Sequence, residues 1–392
     1  MDRLVARYAE RLVRAGLAEP GTPLVAGLDA ELCWNRRDRA CFELEALMGR
    51  LSCNSLVCIE PAEPYRTIIA HLAGGGAEAV APEDCETRTF LHDLPVVRSF
   101  DAQAMLAALR RRKGAIVADP DLGLRLVALG VVSPEQGFVT VSSMCFACFV
   151  LFFSSFLREA RRGRADAAFR AAFAAAVAHL PPLRGQLPEL AAGPLRDEDA
   201  VRRAMVEAGR ATVEYGLVDS YFGNISFRLG DTLYISQTGS SLDDLAACID
   251  PCPLNGSSCA AITASSELAA HMEIVASGEV RAILHGHPRF AVIRSLDCER
   301  EDCPDRGRCH IRCSTPRFVA DIPIVPGEVG TGPFGLWRTL PPAIAGRRGA
   351  IVHGHGLFAV GRDDFNAAFA TLLGVEKLCR EEYFEQVARA LG

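Results

Sequence analysis

Apolar positions recur at helical spacing at the start of the chain, at Leu4, Val5, Tyr8, Leu12 and Val13, and the pattern stops at Gly16. This predicts an amphipathic helix over 4–17. From there to about 160, short β-type runs alternate with helical stretches: a strand at 55–59, a helix at 65–72, a short strand at 94–97, a helix at 101–112 with Asp101 as N-cap, and a strand at 115–117. Residues 180–194 hold four prolines and two glycines with little periodicity and read as a linker. The second half resumes the alternation. A helix over 199–215 ends at Gly216, strands follow at 224–228 and 232–236, and a helix is expected at 265–276. A strand at 280–284, a helix at 289–295, strands at 322–325 and 350–352 on either side of a helix at 335–340, and a long helix at 363–391 complete it. Strands interleaved with helices predict an α/β fold in three α/β/α layers.

The two halves match one another. Arg112-Lys113-Gly114-Ala115-Ile116-Val117 resembles Arg347-Arg348-Gly349-Ala350-Ile351-Val352, and Leu94-Pro95-Val96-Val97 resembles Ile322-Pro323-Ile324-Val325. Ala128-Leu129-Gly130 with Phe138 matches Ala359-Val360-Gly361 with Phe369, and Ala15-Gly16-Leu17 matches Tyr215-Gly216-Leu217. The common order predicts a tandem duplication of one fold, with domains over 1–179 and 197–392 joined by a linker over 180–196. Aligned through Pro64 and Pro288, Pro61 and Glu63 stand opposite His285 and His287, and Ala118-Asp119-Pro120 stands opposite His353-Gly354-His355. The first copy keeps the frame and lacks the imidazoles.

One stretch, residues 138–157, runs for 20 residues without a charge and is followed by Arg158, Arg161, Arg162 and Arg164. Length and flanks would suit a membrane span. The repeat instead places it at the start of a helix equivalent to the C-terminal one, inside a folded domain, so no membrane partner is expected.

Composition narrows the picture further. With 49% hydrophobic and 23% charged residues, 392 residues can bury two or three cores. A net charge of -6 gives no electrostatic reason to expect nucleic acid. The chain opens on an amphipathic pattern with no secretory signal, so the fifteen cysteines are read as thiols and metal ligands in a reducing cytoplasm.

The chemistry concentrates in the second copy. Residues two apart on a strand point to one side, so His285 and His287 can aim two imidazoles at one point while Gly286 keeps the opposite face clear. His353 and His355 form the next His-x-His at a strand end, and Glu267 stands at the start of a helix. Three imidazoles with an open position suit a catalytic divalent ion, most simply zinc, and a neighbouring carboxylate can serve as ligand or general base. Gly-containing turns, hydroxyls and a helix N-terminus supply neutral donors for an anion. Cys298, Cys303, Cys309 and Cys313 fall within 16 residues of a charged insert, 297–313, that has no apolar surface of its own to fold on. A structural zinc or an iron–sulfur cluster would supply the missing order. Cys248, Cys252 and Cys259 form a second, sparser group, and His310 is read as a surface residue.

Tyr221-Phe222-Gly223-Asn224-Ile225-Ser226-Phe227-Arg228, Ile235-Ser236-Gln237-Thr238-Gly239, Ser265-Ser266-Glu267, His285-Gly286-His287-Pro288 and His355-Gly356-Leu357 together resemble the class II aldolase/adducin family in family order. The resemblance spans about 199–390 and leaves the Cys-rich insert outside it. It implies that His285, His287 and His355 bind zinc or another divalent ion, that Glu267 is the acid/base, and that Gly223, Asn224, Thr238, Gly239, Ser265 and Ser266 hold a phosphate or carboxylate. The implied activity is an aldolase-type lyase on a small sugar-like substrate through a metal-stabilised enediolate, with sugar-phosphate epimerase, dehydratase or a non-catalytic adducin-like scaffold as alternatives. It also implies ring oligomers, for which a tandem chain would form a homodimer imitating a tetramer. No catalytic tyrosine can be assigned; Tyr383 in the last helix is a position without a motif.

Overall fold

Side-chain alternation on a central sheet sets the architecture of both halves of the computed structural model, which describes residues 1–392 except 219, 220, 277 and 301. The chain divides into two units, Met1–Pro181 and Pro182–Ala390. In the first, α1 (Asp2–Arg14), β1 (Leu24–Leu28), β2 (Leu32–Trp34), α2 (Cys41–Met48), β3 (Ser55–Ile59), α3 (Tyr65–Leu72), β4 (Ala79–Val80) and α4 (Cys85–Leu91) are followed by β5 (Leu94–Val97), α5 (Ala102–Leu109), β6 (Gly114–Asp119), β7 (Gly123–Gly130), α6 (Pro134–Arg161) and α7 (Ala167–Ala178). The seven strands pair in the order β2-β1-β3-β7-β6-β5-β4. Leu24, Ala26, Leu56, Cys58, Ala115 and Val117 form one apolar layer with α2 and α5. The alternate residues face the other way, where Val57 packs against Gly137 of α6 so closely that a Cβ there would stand 2.5 Å from it. This is the three-layer α/β/α arrangement expected from the pattern.

The uncharged stretch 138–157 lies inside α6. That helix is long and apolar enough to cross a membrane, but about nine-tenths of its apolar window is buried, and within this unit it packs against α1, α3, α4, β3 and β7. Phe138, Phe149, Phe152, Phe153 and Phe156 are all fully buried. Helix α7 was not evident from the pattern. It is mostly alanine, and it is held because Phe169 and Phe173 stack on Phe156 and on the His71 and Phe152 rings.

The second unit contains α8 (Glu198–Glu214), β8 (Asn224–Leu229), β9 (Thr232–Ser236), β10 (Ile249–Pro253), α9 (Leu268–Ala276), β11 (Ala282–Gly286), α10 (Arg289–Leu296), β12 (Arg317–Val319), β13 (Ile322–Val325), α11 (Leu336–Ile344), β14 (Gly349–Val352), β15 (Gly356–Gly361) and α12 (Asn366–Leu391). Its sheet runs β10-β9-β8-β11-β15-β14-β13-β12. Apart from the added edge strand β10, this is the strand order of the first unit element for element, and the two sheets fit a tandem duplication. Residues 180–196, expected as a linker, do not run free. From Pro182 on they lie along the second unit, where the Tyr215 hydroxyl donates to Gln186 O at 3.0 Å, the Lys377 ammonium to Gly185 O at 3.0 Å and Gly193 N to Asp364 Oδ2 at 2.8 Å. Prolines remove regular ladders, so these backbone groups find side-chain partners instead.

Strand register corrects the alignment of the two copies at the histidines. Ala282 pairs with Gly361 and Ser55 with Gly130, which sets Cys58 and Glu60, not Pro61 and Glu63, opposite His285 and His287. Matching the helix-capping prolines Pro64 and Pro288 had hidden the longer strand-to-helix connection of the first copy. The same register sets Arg125 opposite Gly356. Its buried guanidinium lies 2.7 Å from Glu60 Oε1 and beside the Cys58 thiol, which burial pushes up to about 12. Where the second copy gathers imidazoles, the first holds a covalently attached cation.

Because α6 is the core of the first unit, Phe152→Ala should cost about 3–5 kcal/mol. Urea unfolding of the full chain should show the loss in one transition and leave the transition of the second unit in place.

Candidate metal centre

β11 lies between β8 and β15, and its register brings the centre together: His285 pairs with Asn224 on one side and Phe358 on the other. His285 and His287 then project to the same face, His285 stacking on the Phe358 ring with centroids 3.8 Å apart. Gly286 between them faces Leu217 O and Leu372, where a Cβ would stand 2.8 Å and 3.2 Å from its neighbours. His355 ends the tight His353-Gly354-His355 turn between β14 and β15. Gly354 sits at φ +60 with its N–H on Ser295 Oγ at 2.8 Å, and His355 N donates to Val352 O at 3.1 Å. Gly356 is required by the cluster itself, since a Cβ there would lie 2.4 Å from Gly286 O, 2.8 Å from His287 Cδ2 and 2.9 Å from His285 Cε1.

Three Nε2 atoms converge. His285 Nε2 is 3.0 Å from His287 Nε2 and 3.2 Å from His355 Nε2, and among the described residues this trio is the one set of three metal-type ligand atoms lying within 4.8 Å of one another. His285 Nδ1 sits 3.1 Å from Leu357 O, which can only accept, so Nδ1 carries the proton and Nε2 presents a lone pair. Burial, and then neighbouring imidazoles, hold His287 well below its ordinary value, and burial takes His285 down to about 3 despite Glu267. Buried ring nitrogens packed this closely need a proton or a cation shared between them. Nitrogens bound to zinc at about 2.0–2.1 Å in a tetrahedron stand about 3.3–3.4 Å apart, close to the spacing here. The residues therefore fit a divalent ion.

Glu267 completes the cluster from the turn before α9, with Oε1 3.3 Å from His355 Nε2 and Oε2 3.6 Å from His285 Nε2. The helix expected from 265 begins at Leu268, and Ser265 caps it: its Oγ accepts from Glu267 N at 3.3 Å and its carbonyl from Leu268 N at 2.9 Å. Burial would raise the Glu267 carboxyl, but positive charge shared within the His285 and His355 cluster, and the Asn224 amide, which donates to Oε2 at 2.6 Å, outweigh it and hold the group below the usual carboxylate range. The carboxylate is ionised.

The expected anion residues divide. Gly223, at φ +84, packs on His285 O, and Asn224 and Ser265 are buried beside Glu267. Thr238, Gly239 and Ser266 are exposed, and the Thr238 hydroxyl is spent on Ala264 O at 2.9 Å. Buried Asp250 ties the two loops together, accepting from Gln237 Nε2 and Thr263 Oγ1, both at 2.7 Å. His353 turns away and lies 2.9 Å from Ser295 O. Tyr383 is buried among Phe290 and Phe384. Cys252 packs in the core with Ile235 and Ala264 while Cys259 is exposed, so the 248–259 cysteines do not gather.

Residues 203–383 match the Class II Aldolase and Adducin N-terminal domain. The second unit is a domain of the class II aldolase and adducin family. The aldolase-type domain is similar to several solved structures. They include L-fuculose-1-phosphate aldolase from Thermus thermophilus (23% identity, 48% of this chain and 95% of that one, TM-score 0.39). A sugar-phosphate aldolase from Thermotoga maritima is 19% identical over 48% of this chain and 96% of that one, with TM-score 0.37. The N-terminal class II aldolase domain of a Thermoplasma acidophilum protein is 13% identical over 51% and 99%, with TM-score 0.36. No curated protein matches the chain.

Sequence reasoning passed over Glu376. It is buried on α12 and caps α10 directly after His287-Pro288, accepting from Phe290 N at 3.1 Å and Ala291 N at 3.0 Å. A carboxylate inside the stripe Leu372, Glu376, Cys379, Tyr383 was the available signal. Burial, only partly offset by those two N–H groups, pushes it up to about 7. A carboxyl with a raised folded-state value stabilises fully below its unfolded value of about 4.3 and loses that contribution as pH rises through about 7. Stability of the aldolase-type domain should therefore decline across this window in denaturant titrations, and Glu376→Gln should flatten the slope while costing about 1 kcal/mol for the lost acceptor.

Proposed function

We propose that the second unit is a divalent-metal-dependent lyase of aldolase type, acting on a small phosphorylated or carboxylated sugar-like substrate. The observation that carries this reading is the convergence of His285, His287 and His355 Nε2 on one point with the ionised Glu267 carboxylate facing it. His285, His287 and His355 would hold the ion, which when bound would act as a Lewis acid for a ketone and an adjacent hydroxyl. Leu357 O and the Phe358 ring orient His285, and Gly356 leaves room for the set. Glu267 takes or returns the proton beside the carbonyl, its charge oriented by the Asn224 amide. Gly223, Asn224, Thr238, Gly239, Ser265 and Ser266 would receive the phosphate or carboxylate. Of these, Ser265 and Asn224 contact Glu267, and Asn224 Oδ1, without a partner among the described residues, would accept from a substrate hydroxyl and not from the anion. Epimerisation and dehydration need the same base and ion, so they remain readings of the same centre that differ in the fate of the carbanion.

His285→Ala should lower the divalent-ion content of the purified protein by one ion per chain in elemental analysis. Glu267→Gln should retain the ion and lower turnover of ketose phosphates or related carboxylates by about 10²–10⁴-fold. Ion-free wild type, or turnover untouched by Glu267→Gln, would favour a non-catalytic scaffold.

A further inference from the structure

The Cys-rich insert is not part of the centre just described, and backbone turns about one residue bring three of its cysteines together in the fold. Asp305 is buried, although the segment about it is charged and largely exposed. Its carbonyl accepts from Cys309 Sγ at 3.6 Å and its Oδ2 from Ser314 N at 3.0 Å, beside Cys313, while Arg306 N turns back to Cys303 O at 3.1 Å. Three cysteines are thus folded about Asp305 by short-range turns. The fourth is brought in by a second set of contacts. Arg306 Nη1 donates to Arg300 O at 3.0 Å, the Arg300 guanidinium donates to the Thr315 hydroxyl, and Cys313 Sγ approaches Thr315 O at 3.2 Å. This closes residues 300 and 315 on one another, two residues after Cys298 and two after Cys313. Glu301 lies outside the described residues.

All four thiols are free and half-buried. Burial raises the Cys309 thiol first, and the fields of Cys313, Cys298 and Cys303 all reach it. The sulfurs are not closed to the compass of the histidine trio, but a segment of turns with no apolar core offers little resistance to closing. We propose that Cys298, Cys303, Cys309 and Cys313 bind a zinc ion as a tetrathiolate, each thiol releasing its proton on binding. Thiolates in a set of four match the softness and the tetrahedral preference of zinc. The ion would order the insert, which is tied to the chain after β13 through Gly327 N on His310 O at 2.9 Å and to α10 through Arg317 Nη2 on Arg294 O at 3.2 Å.

Elemental analysis and cobalt substitution of the full chain test this. The wild type should carry two ions, Cys303→Ser/Cys309→Ser one, and His285→Ala one, so the two sites are counted independently of each other. Cobalt(II) in His285→Ala should give the intense sulfur-to-metal charge-transfer band of a tetrathiolate, and the insert thiols should react with a disulfide reagent only after chelation. That readout uses the intact insert and survives misfolding of the serine variant. An ion count unchanged by Cys303→Ser/Cys309→Ser, a cobalt spectrum without that band, four freely reactive insert thiols, or bound iron with a visible chromophore would each overturn the assignment.

Discussion

Everything at the centre depends on three buried imidazoles being packed with their Nε2 atoms turned onto one point. Left alone, such a set is electrostatically unfavourable, because each ring has lost its water and faces another ring's nitrogen. The fold imposes the arrangement through its neighbours: Leu357 O fixes the tautomer of His285, Phe358 fixes its plane, Gly356 removes the Cβ that would push the rings apart, and Gly286 removes one that would meet Leu217 O and Leu372. The energy to hold it comes from a fully buried sheet on which Ile283, Leu284, Ile351, Val352 and Ala359 exclude water.

The first unit shows the same frame with the electrostatics solved in another way. At the positions of the two strand histidines it has Cys58 and Glu60, and at the position of Gly356 it has Arg125, whose guanidinium reaches Glu60 at 2.7 Å. A side chain that carries its own charge needs no exchangeable ion. Converting a glycine to arginine also occupies the space the imidazoles would use. The same strand order thus accommodates a cluster of ligands in one copy and a closed ion pair in the other.

The support around the centre is drawn from distant parts of the chain. Glu376 anchors α10 from α12, Ser295 holds the His353-Gly354 turn from α10, and Asp250 ties the loops at 237 and 263 from an edge strand. Each is a polar group satisfying backbone or side-chain donors that would otherwise be stranded in an apolar interior. Positioning of this kind is what allows a short motif to act as a site.

Local chemistry determined much of this protein. Period-two and helical patterns pointed to many of the element types, the paired runs at 112–117 and 347–352 pointed to a repeat that the two sheets fit, and His-x-His on a strand set two imidazoles on one face, because these depend only on neighbours in the chain. Tertiary structure alone decided the rest. Whether His353 or His355 joins the trio follows from the direction of a turn set by Ser295, and the family motif, not the spacing, had pointed to His355. Which residues replace the ligands in the first unit follows from strand register, and a connection of different length conceals register from any alignment by motif. Glu376 and Arg125 escaped notice because a charge in an apolar stripe declares its purpose only when its partner, remote in sequence, is in place.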